Sequence, residues 1–114
     1  MEKPENLEVR TLRFAQRVRA FIRSLPRSIV TVEDGKQLVR SSGSVGANYI
    51  EACESLSKKD FILRIKISRK EARESKYWLS MFDILTGTHA KERDKLSQEA
   101  TELLKILSAI ANHG

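Results

Sequence analysis

The stretch from Gln37 to Glu54, QLVRSSGSVGANYIEACE, decides how the rest of the chain is read, because its spacing is helical while its composition is not. Leu38, Ser42, Val45, Tyr49, Ala52 and Leu56 recur at alternating steps of four and three, the pattern of one face of a bundled helix. Val39, Gly43, Gly46, Ile50 and Cys53 form a second stripe beside the first, so burial is expected on two sides. An interior glycine costs a helix about 1 kcal/mol relative to alanine. Gly43 and Gly46 therefore imply a packing reason: where there is no Cβ, a neighbouring backbone can come close. The other reading of the pair is a loop that splits two short helices.

Outward from this stretch, the same periodicity organises the whole chain. Asn6 can cap a first helix, in which Leu7, Thr11, Phe14, Val18, Phe21 and Leu25 form the apolar seam until Pro26 stops it. Thr31 with Asp34 resembles a capping box for the second helix, and Ser57 with Asp60 repeats that pattern for the third. Phe61, Ile65, Ser68, Ala72, Ser75, Leu79 and Phe82 give helix 3 a seam that is small in the middle and large at both ends. An antiparallel hairpin of helices 2 and 3 would set Gly43, Gly46 and Ala47 beside Ser68 and Ala72, small against small. Gly87 is expected to close helix 3 and Thr88 to cap helix 4, whose seam is Leu96, Ala100, Leu103, Leu107 and Ile110. The expected helices span about 6–25, 31–55, 58–86 and 89–112, with short links and no strand signal. This predicts an all-α, single-domain, up-and-down antiparallel four-helix bundle.

Composition agrees with that class. The chain has 114 residues, enough for one core, and only two prolines and five glycines to interrupt helices. Its one cysteine, Cys53, cannot form an internal disulfide. The polar start MEKPENLEVR and the lack of any run near the roughly 20 apolar residues of a membrane span predict a soluble cytoplasmic protein without a membrane partner. A net charge of +6 and a pI near 9.7 suit an anionic partner, or simply a basic, soluble surface.

The candidate constellations favour binding over catalysis. Glu51 and Glu54 on helix 2, with Glu71 and Glu74 on helix 3, are paired carboxylates, but dimetal bundles use Glu-x-x-His and the residues three before His89 and His113 are Thr86 and Ile110. No metal and no cofactor are expected, and Glu71 and Glu74 are read as partners of Arg40 or of a helix 1 arginine. Ser41, Ser42 and Ser44 lie where hydroxyls bond back to the helix, and GSVG lacks the lysine of a phosphate-binding loop, so no enzyme is expected. The basic residues are better placed. Arg19, Arg23 and Arg27 fall opposite the helix 1 seam, and Lys59, Lys66, Lys70 and Arg73 line one flank of helix 3 for about 21 Å. Either stripe alone can also be a solvated helix face; together they are the nucleic-acid-binding candidates, with Tyr77 near the second stripe able to stack on a base. Val9 and Leu12 point outward from helix 1, and Leu63, Ile67, Trp78 and Met81 give helix 3 a second apolar face. These six are the candidates for contact with another chain, unless helix 3 simply buries a wide arc.

The motif R-S-S-G-S-V-G-A-N-Y-I-E-A from Arg40 to Ala52, with S-K-K-D-F-I from Ser57 and E-A-R-E-S-K-Y-W-L from Glu71, resembles a known family. It is similar to the small bacterial four-helix-bundle proteins first noticed as reading frames within intervening sequences of the 23S rRNA gene, and to the related accessory proteins of diversity-generating retroelements. The family signature stands here as Arg40, Ser41, Ser42, Ser44, Ala47, Asn48 and Glu51, and the helix-packing motif is Arg40, Ser42, Gly43, Gly46, Ala47, Asn48 and Glu51. Ala52 replaces the family's usual glycine, and S-R-K-E-A-R-E-S on helix 3 replaces a smaller segment that contains Gly and Ser in many members. The resemblance implies a left-handed bundle assembled as a homopentameric ring, nucleic-acid binding through a basic surface, and no established catalytic residues. Taken together, a non-enzymatic oligomeric accessory protein binding RNA or a ribonucleoprotein is expected; the alternative is an oligomeric scaffold for a protein partner.

Overall fold

A computed structural model describes residues 6–113; the polar start at 1–5 and Gly114 lie outside the described residues. The helices are α1 (Leu7–Ser24), α2 (Ile29–Cys53), α3 (Lys58–Ser80) and α4 (Gly87–His113), and no strand occurs among the described residues. The backbone of α1 packs against α2 and α4, and that of α3 against the same two, so the helices form a square in which α1 and α3 are diagonal. Short links reverse the chain at each corner, which gives the up-and-down four-helix bundle. None of the helices is long and apolar enough to cross a membrane.

Local chemistry sets the ends. Asn6 Oδ1 accepts from the Glu8 amide at 2.7 Å and Ser57 Oγ from the Asp60 amide at 3.1 Å, as the sequence predicts. The second helix begins earlier than expected. Ser28, not Thr31, is its cap, with Ser28 Oγ accepting from the Thr31 amide at 3.1 Å, so Thr31 sits in the first turn. The third helix ends at Ser80, short of the expected 86. There the Met81 and Phe82 amides donate to the Trp78 and Leu79 carbonyls at 3.1 and 3.2 Å, tightening the last turn. Phe82 then turns into the core, where its ring meets Phe21 edge-on with centroids 5.6 Å apart. Its carbonyl takes a hydrogen bond from Arg93 Nη1 of α4 at 2.6 Å. Gly87, with φ of +59°, opens α4 instead of closing α3, and Thr88 lies inside the first turn.

The core follows the seams closely. Phe14, Val18 and Phe21 meet Leu38, Val45 and Ala52, Ile65, Ala72 and Leu79, and the α4 row from Leu96 to Ala111. Leu56 departs from its seam: it lies beyond the end of α2 and is fully exposed. Cys53, the last residue of α2, is a free and exposed thiol.

The glycines hold a different neighbour from the one expected. Gly43 and Gly46 are inside α2, but they face α1, not Ser68 and Ala72 of α3. A Cβ at Gly46 would stand 2.8 Å from Thr11 Oγ1 and 3.2 Å from Thr11 Cβ; one at Gly43 would stand 3.4 Å from Arg19 Nη2. Gly46 follows Val45, and a single residue step turns about 100° around a helix. Val45 belongs to the α3 seam: Ser68 donates its hydroxyl proton to the Val45 carbonyl at 2.7 Å, and Ser75 Oγ lies 3.1 Å from Ser41 Oγ. The close contact between α2 and α3 is made by serines, and the glycines admit α1.

Candidate nucleic-acid interface

Residues of α3 that lie one step off its buried stripe project over α4. Lys66, Arg69, Lys70 and Arg73 thereby line a single groove of about 420 Å³, closed on the α4 side by Leu104 and Ser108. Arg69 is half-buried and the other three are exposed. Among the described residues none of the four is in an ion pair, and no carboxylate lines the groove. Lys70 acts at longer range on its neighbour Glu71, and the other three face the groove without an acid beside them on its walls. Lys59, in the first turn of α3, is exposed but does not line the groove. Arg69 escaped the sequence reading although its spacing carries the signal, three after Lys66 and four before Arg73.

The helix 1 arginines do not form the continuous stripe that their spacing suggests. Arg19 lies against Gly43 and donates through Nη1 to the Ala15 carbonyl at 3.1 Å. Arg23 is exposed in the last turn, while Arg27 lies in the link beyond Pro26, off the helix. On the α4 side of α1, Arg10 makes a two-point contact with Glu99 at 2.7 and 2.9 Å, and Arg17 meets Glu92 at 2.7 Å. Acids of α4 therefore pair with two of the arginines of α1.

Across the α2–α3 face, Arg40 reaches Glu74 at 3.2 Å and Glu71 at 3.8 Å, so of the two partners expected for these acids, Arg40 or a helix 1 arginine, Arg40 is the one in contact. Glu71 is only 7% exposed and its Oε1 has no hydrogen-bond partner. Burial raises its pKa above the ordinary carboxylate value and the neighbouring Glu74 adds to the rise, while Arg40 and Lys70 oppose it. Of the other helix-packing residues, Ser42 is buried and bonds back to the Val39 carbonyl at 3.2 Å. Asn48 donates to the Ser44 carbonyl at 2.9 Å, and Ala47 and Glu51 are exposed. Ser41 and Ser44 likewise donate to helix carbonyls.

A second groove, of about 520 Å³ and mostly apolar, runs between α1 and α2, with Val9, Leu12 and Ile50 on its walls and Gly43 and Gly46 on its floor. Leu12 is 56% exposed. Leu63 and Met81 are also exposed, but on the diagonal helix, and Ile67 and Trp78 are half-buried, with Trp78 packed on the core. The six residues expected at an interface thus belong to two separate sides of the bundle.

This arrangement of helices has a solved counterpart. A protein of unknown function from the S23 ribosomal protein family of Bacteroides thetaiotaomicron VPI-5482 superposes with a TM-score of 0.78 at 28% identity, over 93% of this chain and 98% of that one. No curated protein matches the chain. The family model described as 23S rRNA-intervening sequence protein matches residues 5–109, which take in α1 to α3 whole and all but the last turn of α4, and the chain belongs to that family.

Proposed function

We propose that this protein is a non-enzymatic, oligomeric accessory protein that binds nucleic acid, RNA foremost, along the α3–α4 groove. The observation that carries this reading is the convergence of Lys66, Arg69, Lys70 and Arg73 on one groove with no carboxylate among its walls. Cations without internal partners release counterions when they meet a phosphate backbone, which drives binding of a polyanion. The family's description, which names the intervening sequence of a ribosomal RNA, is in keeping with an RNA partner. The serines of α2 give their hydroxyl protons to helix carbonyls, which leaves them poor nucleophiles and supports a role in binding.

A second reading rests on the apolar groove between α1 and α2: an assembly scaffold that holds a protein partner, its charge serving solubility. One experiment separates the two. Affinity for an RNA and a DNA oligomer is measured at two salt concentrations, for the parent protein, for the triple reversal K66E/K70E/R73E, and for K91E/K95E/K105E. The last alters exposed lysines of α4 by the same net charge. Binding should weaken with salt, with a log–log slope of about −0.7 per phosphate contacted on a single strand. The groove reversal should abolish binding and the α4 reversal should leave most of it. No binding at low salt, or equal loss in both variants, defeats the nucleic-acid reading and leaves the scaffold.

A further inference from the structure

Tyr77 stands four residues beyond Arg73 and seven beyond Lys70, on the same flank of α3 as the groove. It is 55% exposed, although aromatic residues in a bundle usually fill the core. Its ring is also held in place: it meets Trp78 with centroids 5.1 Å apart and planes at 79°, and Trp78 is itself packed against the core. An exposed aromatic ring that is braced edge-to-face costs little further ordering when something stacks on it. We propose that the groove takes a single-stranded segment, its phosphates along Lys66, Arg69, Lys70 and Arg73 and an unpaired base stacked on Tyr77. This deepens the nucleic-acid reading and rests on it.

Two further considerations favour a single strand over a duplex. Bases in a duplex are stacked on one another and present edges, not faces, to a protein, so an aromatic ring beside a basic row has work to do only where bases are splayed out. Length agrees: Lys66 to Tyr77 spans about 16 Å along α3. That is short for duplex-binding domains, which cover about 16 base pairs, and suits the smallest single-strand sites of about four nucleotides. Lys59, about two turns N-terminal to Lys66, extends the same flank for a longer strand.

The test uses the full chain, a labelled unstructured RNA 12-mer, and the blunt duplex formed by annealing its complement. Binding is measured at low salt for the parent, Y77A and Y77F, with far-UV circular dichroism to show that helicity is unchanged. The single strand should bind at least tenfold more tightly than the duplex. Y77A should lose about 5- to 150-fold on the single strand and almost nothing on the duplex, while Y77F, which keeps the ring, should behave as the parent. Equal affinity for the two forms, or a neutral Y77A, overturns the stacking site while leaving the basic groove standing. Absence of binding to both forms at low salt overturns the nucleic-acid reading itself, and the stacking site with it.

Discussion

Gly43 and Gly46 are one turn apart on the same helix, yet an added methyl group should act in opposite directions. At Gly46 the new carbon would sit 2.8 Å from Thr11 Oγ1. Thr11 cannot swing away: it is 1% exposed, and its hydroxyl is bonded to the Leu7 carbonyl at 2.7 Å. The overpacking cost of about 1–3 kcal/mol should outweigh the roughly 1 kcal/mol that alanine gains in helix propensity. At Gly43 the obstacle is only the far end of Arg19, which can shift. G46A is expected to lower the thermal midpoint and G43A to raise it by a few degrees, read by circular dichroism; a rise in both would show that α1 yields freely. That these glycines admit a neighbour was legible in the sequence, but the identity of the neighbour was not. Periodicity gives the angle between two stripes of a helix. It does not say whether the bundle turns so that α1 or α3 occupies a given side.

Between elements, the α2–α3 contact combines hydroxyl bonds with one strained acid. Burial holds Glu71 above the ordinary carboxylate value of 4.5. In the window from that value up to its raised pKa, the native state binds more protons than the unfolded chain, so this residue's contribution to stability falls as pH rises. Below the window the penalty is absent; above it, the penalty is complete. E71Q removes the titration. Its stability relative to the parent, measured from urea midpoints, should improve as pH goes from about 4 to 7; a relative stability that worsens over that range would mean that Arg40 outweighs burial. The Arg40 partnership was readable from charge spacing on a hairpin, and so were the helices themselves. Their ends were less so, because the turn of Phe82 into the core and the Arg93 bond to its carbonyl depend on α4, which no local signal near residue 82 contains.

For the molecule as a whole, charge and grease are divided among sides. The α3–α4 side gathers four cations that make no ion pair among the described residues, the α1–α4 side is bridged by two ion pairs, and the α1–α2 side presents an open apolar groove. If sister copies cover that last groove, L12E should shift the mass seen by light scattering toward that of one chain with helicity retained; an unchanged mass excludes this side from assembly. Sequence spacing picked out Val9 and Leu12 as outward-facing, but only the folded bundle sets them apart from Leu63 on the diagonal helix. Cys53 offers a way to follow such an assembly without altering the protein. Each polypeptide has just this one sulfhydryl, and it is open to solvent at the end of α2. A maleimide dye would thus tag every copy once, at the same place, and the bleaching steps counted from one particle would equal its number of polypeptides.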